Sequence, residues 1–327
     1  IANMTALSSA RAAIAPNAWE DGTPEDLVVM GPSTAHYSIL RALSIMGMGK
    51  KAFVPIPVDE NEVIITSTLE EVYTQIKNEG KRVMALVANA CATSTGLFDP
   101  LEEMADFCKK HRLWFHVDGA HGAVALLSEE HRKKVKGIEK ADSVIWDAHK
   151  MLRVPALCTA VLFKRQEQMW NSFHQKGSYV FHENEVIGMD SMPFTIECTK
   201  SALGTKLFWS FAIEGQQALV EFVENSFRQS QNLYNYLSNH KDFYCPYPPE
   251  SNILCFQYMP EIYKDQQQLA LRYELINSGE FYITSCLINQ KRYLRTVMMN
   301  PLTNADDYKA LTIAIAKYAL TIKNNEN

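Results

Sequence analysis

The chain has 327 residues, 47% of them apolar, with 32 basic and 37 acidic side chains and a net charge of −5. That apolar share excludes wholesale disorder, and at about 150 residues per domain the length predicts roughly two domains. The charge balance argues against a nucleic-acid-binding surface, no apolar run reaches the ~18 residues of a membrane-spanning helix, and seven cysteines without a CxxC pair predict reduced thiols in a cytosolic compartment.

The opening Ile1-Ala2-Asn3-Met4-Thr5-Ala6-Leu7 is already helical in pattern and predicts a helix over 1–14. It reads like the inside of a domain, so a further N-terminal element is expected before it. Pro16 and the Asp21-Gly22-Thr23-Pro24 cluster break this helix. A short buried strand is predicted over 27–30, then a helix capped by Ser33 and ended by Gly47 and Gly49, then a helix over 68–78 capped by Ser67 or Thr68. The apolar runs 83–88, 113–117, 143–146 and 157–163 read as strands, and 99–111 as an amphipathic helix with Pro100 at its first position. Short apolar strands alternating with helices indicate βαβ units and a mostly parallel sheet. One or two long helices are predicted over 203–237, with Gly215 as an interruption and hinge. Beyond it, strands at 253–258 and 293–299 and helices at 266–277 and 305–323 make a small α/β unit. The expected division is a large domain over 1–210 and a small C-terminal domain over 211–327.

In an open parallel sheet, ligands bind beyond the carboxyl ends of the strands. Three consecutive predicted strands end there in Asn89-Ala90-Cys91-Ala92-Thr93-Ser94-Thr95-Gly96, in Asp118-Gly119-Ala120-His121-Gly122 and in Asp147-Ala148-His149-Lys150. Together they deliver small residues, a carboxylate and a lysine to one crevice. An amine that loses hydration is held more easily in its neutral form, which attacks aldehydes to give a Schiff base. A carboxylate opposite such an amine suits pyridoxal phosphate, whose ring nitrogen needs an acidic partner.

Here the residues resemble a known family. His116-Val117-Asp118-Gly119-Ala120-His121-Gly122 and Asp142-Ser143-Val144-Ile145-Trp146-Asp147-Ala148-His149-Lys150-Met151 resemble motifs of the group II pyridoxal-phosphate amino-acid decarboxylases. Ser33-Thr34-Ala35-His36-Tyr37-Ser38 and Thr95-Gly96-Leu97-Phe98-Asp99-Pro100 fit the same pattern in order. The resemblance implies an aspartate aminotransferase-like, fold type I large domain with a small C-terminal α/β domain. It also implies a homodimer with active sites at its interface and a small amino-acid substrate; the charge balance and the lack of a long apolar run lead to an expectation of no nucleic-acid or membrane partner. Pyridoxal 5'-phosphate would be held covalently by Lys150, paired at its ring nitrogen with Asp118, stacked on by His36, approached by Thr93 and flanked at its phosphate by His149. Arg295 matches an arginine near the substrate. The run around Lys150 looks closest to the glutamate and cysteine-sulfinate branch, which implies an acidic L-amino acid; diaminobutyrate and aromatic substrates are the alternatives.

The sequence departs from the pattern in three places. Gly119 and His121 stand where family members usually carry Ala and Tyr. In the 178–191 stretch the family's proton-donating tyrosine falls near Ile187; Tyr179 aligns earlier, and His182 is another candidate donor. The phosphate-binding turn would lie just before Ile1. A relative that has lost its chemistry is therefore a second reading. A third takes His116, Asp118, His121, Asp147 and His149 as metal ligands of a hydrolase, which leaves Lys150 without a role. His116 alternates with Asp118 on one strand face and reads as a packed core histidine; His121 is open between packing and function.

Overall fold

The computed structural model describes residues 1–173, 195–197 and 199–325. In chain order, α1 (Ala2–Ile14), α2 (Ala18–Asp21), β1 (Leu27–Pro32), α3 (Tyr37–Ile45), β2 (Phe53–Ile56), α4 (Leu69–Asn78), β3 (Arg82–Asn89), α5 (Leu101–His111), β4 (Trp114–Asp118), β5 (Ser143–Asp147), β6 (Thr159–Phe163) and α6 (Glu167–Phe173) build the first unit. Its six strands run in the order β2-β1-β3-β4-β5-β6. All neighbours are parallel except β5 and β6, so the run predicted over 157–163 closes the sheet as an antiparallel edge.

Both faces of this sheet are covered, which is why its strands read as continuous apolar runs. Leu27, Val29, Met84 and Val87 pack with Leu7, Ile39 and Leu43 of α1 and α3. Val28, Met30, Leu86 and Ala88 face the opposite core, with Leu69 and Ile76 of α4 and Leu101 and Met104 of α5. Helix α1 is buried along most of its length, and its polar Asn3, Thr5, Ser8 and Ser9 are buried with it.

The predicted helix starts need correction. Ser33 caps nothing: its N–H donates to Ile56 O and it still belongs to the strand edge. Helix α3 begins at Tyr37, with the His36 ring nitrogen accepting from Ser38 N at 3.4 Å. The Thr68 hydroxyl donates to Ile65 O at 2.8 Å instead of capping α4. Pro100 is the residue before α5 and not its first position.

Helix α7 (Leu203–Ser238) is two helices joined at Gly215, whose φ of 76° and ψ of 157° are non-helical. It leads to β7 (Phe243–Tyr244), β8 (Ile253–Tyr258), α8 (Asp265–Asn277), β9 (Thr284–Ile288), β10 (Lys291–Val297) and α9 (Ala305–Asn325). The second sheet is antiparallel, in the order β7-β8-β10-β9. Leu254, Phe256 and Leu294 on its inner face pack against Leu271 and Leu275 of α8 and Leu311 and Ile315 of α9. Among the described residues, no helix is long and apolar enough to cross a membrane.

Candidate active site

Strands β3, β4 and β5 end in Asn89, Asp118 and Asp147, and these ends open onto a cavity of about 380 Å³. Its wall also carries Asn3, His36, Ser38, Arg41, Cys91, Thr93, His121 and Lys150. The polar ends converge because Asn89 is in register with Asp118, and β4 with β5. The turn behind them is tight. A Cβ on Gly122 would stand 2.6 Å from Cys91 N, and one on Gly119 2.9 Å from Ile145 O, so only glycine lets these strand-end loops approach each other undisturbed.

Asp118 is buried and accepts from Asn3 Nδ2 at 2.9 Å and from Ala120 N at 3.2 Å. Lys150 Nζ lies 3.1 Å from Asp147 Oδ2, and Thr159 Oγ1 donates to the other carboxylate oxygen at 2.6 Å. Asp147 therefore holds the amine from a fixed position. His36 is half-buried, its Nδ1 is 2.7 Å from Ser38 Oγ, and its ring centre is 4.1 Å from that of Tyr37. Burial lowers its pKa, against the pull of the Asp118 carboxylate. Arg41 reaches over the same Tyr37 ring, with Cζ 4.8 Å from its centre.

Four of the six sequence-predicted site residues thus share one wall: Lys150, Asp118, His36 and Thr93. His149 and Arg295 are not on that wall. His149 Nδ1 accepts from Cys158 N at 3.1 Å. Arg295 sits behind the Thr93 loop, with Nε donating to Ser94 O and Nη1 to Thr284 Oγ1, each at 3.2 Å. Tyr179, His182 and Ile187 lie outside the described residues. The suggested metal ligands do not converge: among the described residues no group of three or more acidic, His or Cys side chains could hold an ion. His116 is bound to Asn3 and Ser143, and His121 Nε2 to Asn252 Oδ1 at 2.7 Å. Burial pushes both imidazoles down to about 4 and the Cys91 thiol up to about 11, so Cys91 is no thiolate.

Sequence reasoning missed Asn3, Arg41 and Asn252, and placed Asn89 at the crevice without giving it a role. Asn89 Nδ2 is buried and has no hydrogen-bond partner among the described residues, although it stands on the cavity wall. Such a donor points to a ligand. Asn3 and Asn89 carry a signal, a polar residue in an otherwise apolar helix or at the end of an apolar strand; Asn252 lies in the loop just before β8 and carries none.

Residues 1–259 match the family model described as the pyridoxal-dependent decarboxylase conserved domain. The chain belongs to this family. It is 31% identical to the human acidic amino acid decarboxylase GADL1 over 274 residues, 82% of this chain and 52% of that protein. It is 29% identical to human cysteine sulfinic acid decarboxylase over 273 residues, 82% of this chain and 55% of the other. The chain thus spans about half the length of the curated relatives it matches. Among solved structures, apo mouse CSAD superposes with a TM-score of 0.89 at 25% identity, covering 96% of this chain and 69% of that one. The fold is therefore fold type I, as the motifs implied. The glutamate decarboxylase domain of a Vibrio parahaemolyticus protein gives 0.86 at 25% identity, over 98% of this chain and 66% of that one. An amine, a carboxylate, an imidazole and an unpartnered amide on one wall fit pyridoxal phosphate, which offers an aldehyde, a ring nitrogen, a ring face and polar substituents.

Proposed function

We propose that this protein is a pyridoxal-phosphate-dependent carboxy-lyase that converts an acidic L-amino acid to its amine and carbon dioxide. One observation carries the reading: Lys150, Asp118 and His36, from three separate segments, line a single cavity. Lys150 would hold the cofactor through its amine, Asp118 would pair with the ring nitrogen, His36 would stack on the ring, and Thr93 would approach it. Bound pyridoxal phosphate supplies an electron sink for the pair left at Cα when carbon dioxide departs. The chain supplies orientation. Asp147 steadies Lys150 Nζ at 3.1 Å, and two N–H donors steady the Asp118 carboxylate. His149 at the phosphate and Arg295 at the substrate carboxylate complete the assignment; both stand just behind the wall, Arg295 against the Ser94 carbonyl and His149 Nε2 3.7 Å from Asp147 Oδ2.

The acidic substrate is supported by the names of the relatives and by Arg41, a guanidinium on the cavity wall. A cytoplasmic homodimer belongs to the same reading, with a cofactor domain up to about residue 210 and a smaller domain after it. Tyr37, Ile45 and Leu157 are large apolar residues exposed on the cavity wall, which supports a partner subunit covering the mouth.

The test is a carbon-dioxide release screen over amino acids, on full-length protein loaded with pyridoxal phosphate. Release from glutamate, aspartate or cysteine sulfinate is expected; none from these three ends the acidic-substrate reading. Borohydride reduction followed by peptide mapping should label position 150, and Lys150→Ala should abolish that label. A label elsewhere overturns the lysine assignment.

A further inference from the structure

A hydrogen-bonded chain runs from behind the cavity wall through five buried or half-buried side chains, Asn3 and Ser38 on the wall itself, to two of the proposed cofactor contacts. Trp114 Nε1 donates to Ser143 Oγ at 2.8 Å, and Ser143 Oγ lies 2.8 Å from His116 Nδ1. His116 Nε2 is 2.8 Å from Asn3 Oδ1. Asn3 Nδ2 then donates twice, to Asp118 Oδ2 at 2.9 Å and to Ser38 Oγ at 2.7 Å, and Ser38 Oγ meets His36 Nδ1 at 2.7 Å.

The direction of this chain is fixed by its ends. An indole nitrogen only donates, and an ionised carboxylate only accepts. The Asn3 amide must turn its NH2 toward Asp118, so its oxygen faces His116 and requires an N–H there. Fully buried, His116 is neutral near pH 7, so its Nδ1 is the acceptor for the Ser143 hydroxyl. Ser38 Oγ, which accepts an Asn3 N–H, donates its hydroxyl hydrogen to His36 Nδ1, which also accepts from Ser38 N, so the His36 N–H is on Nε2. Every proton has one place.

We propose that Asn3 and His116 are positioning residues, and that the one amide of Asn3 sets both the Asp118 carboxylate and the His36 ring against the cofactor. This rests on the roles of Asp118 and His36 in the function proposed above. Removing the Asn3 amide frees both contacts at once. Removing His116 leaves the Asn3 oxygen without a donor in a dry site and lets the amide turn.

The experiment uses the full chain with Asn3→Ala, His116→Leu, His116→Gln and Ser38→Ala. Histidine ¹⁵N spectra of the cofactor-free wild type at pH 7 should show His116 and His36 neutral and protonated at Nε2. His116 protonated at Nδ1 overturns the chain, whether or not cofactor binds. In absorbance titrations with pyridoxal phosphate, Asn3→Ala and His116→Leu should raise Kd about tenfold, the loss of one charge-assisted hydrogen bond. Both should also shift the pH dependence of the bound cofactor's visible absorption. His116→Gln, which keeps a donor toward Asn3, should recover most of the affinity. Ser38→Ala cuts only the His36 branch, so it should alter the His36 ¹⁵N signals and leave the absorption midpoint in place. Wild-type affinity and an unshifted midpoint in folded Asn3→Ala overturn the proposal. If Asn3→Ala does not fold, unchanged His36 signals in Ser38→Ala do so. If the wild type takes up no cofactor, the function proposed above fails, and the histidine spectra still decide the chain.

Discussion

Acid should destabilise this protein through His116 and His121, and a His116→Gln variant isolates one of the two. Burial holds each folded imidazole down to about 4, against 6.5 in the unfolded chain. Between those values the unfolded chain binds a proton that the folded chain refuses. Each ring therefore contributes stability that is complete above pH 6.5 and is lost as pH falls toward 4, by up to about 1.4 kcal/mol per pH unit. From pH 7 to pH 5 the loss is roughly 2 kcal/mol per histidine. Asp99 works in the opposite sense. Its burial outweighs the N–H bonds from Asn89 and Ile64 and raises its carboxyl from 3.8 to about 7. Its contribution is complete below pH 3.8 and lost as pH rises through 7, so the wild-type pH curve mixes both signs. Comparing wild type with His116→Gln cancels Asp99 and His121. Urea unfolding of both proteins at pH 7 and pH 5 is the assay. The variant should be weaker at pH 7 yet lose roughly 2 kcal/mol less on acidification. Equal losses would refute the account of His116 as a neutral buried ring.

Three further outcomes are expected. Gly122→Ala puts a Cβ 2.6 Å from Cys91 N and 2.7 Å from Phe98 Cε1, so the loop that carries Thr93 must shift; a stability loss of about 1–3 kcal/mol and weaker cofactor uptake should follow, and an unchanged melt with unchanged uptake contradicts it. Arg41→Gln should raise KM for the acidic substrate several-fold, on the order of one exposed charge-assisted contact, while kcat holds; an unaltered KM removes Arg41 from recognition. Asp147→Asn weakens the partner 3.1 Å from Lys150 Nζ, so borohydride labelling at position 150 should slow; labelling at the wild-type rate means that the carboxylate does not place the amine.

The central sheet was legible because its physics is repetitive. Strands covered on both faces are mostly apolar without strict alternation, and β1, β3, β4 and β5 announce themselves that way. The strands that went unread break this rule. Strand β2 is an edge and contains Pro55, which an edge tolerates but a pattern search reads as a breaker. Strand β7 has two residues, too few to show a period. Strand β9 is an edge with partly exposed residues on both faces. Helix starts were misplaced for a different reason. Ser33 has a capping side chain, but its backbone is already engaged by Ile56, and a long-range bond of that kind leaves no local trace.

The candidate site divides along the same line. Lys150, Asp118, His36 and Thr93 follow strand ends or open a helix, where local chemistry already marks them. Asn3 and His116 do not stand out locally: one is a polar residue on a buried helix, the other a histidine on an apolar strand. Reading His116 as a packed core residue was correct about its burial and silent about its partners. A buried polar group must find a hydrogen bond, and in a sheet with one ligand-binding edge the partners available to β4 lie toward that edge. The residue two positions before a strand-end carboxylate shares its face. His116 and Asp118 stand in that relation, so a polar side chain at 116 had few places to turn except toward the groups that hold 118. A core histidine here packs against the sheet and is bonded to Asn3, so in the proposal above its packing and its support of the site go together.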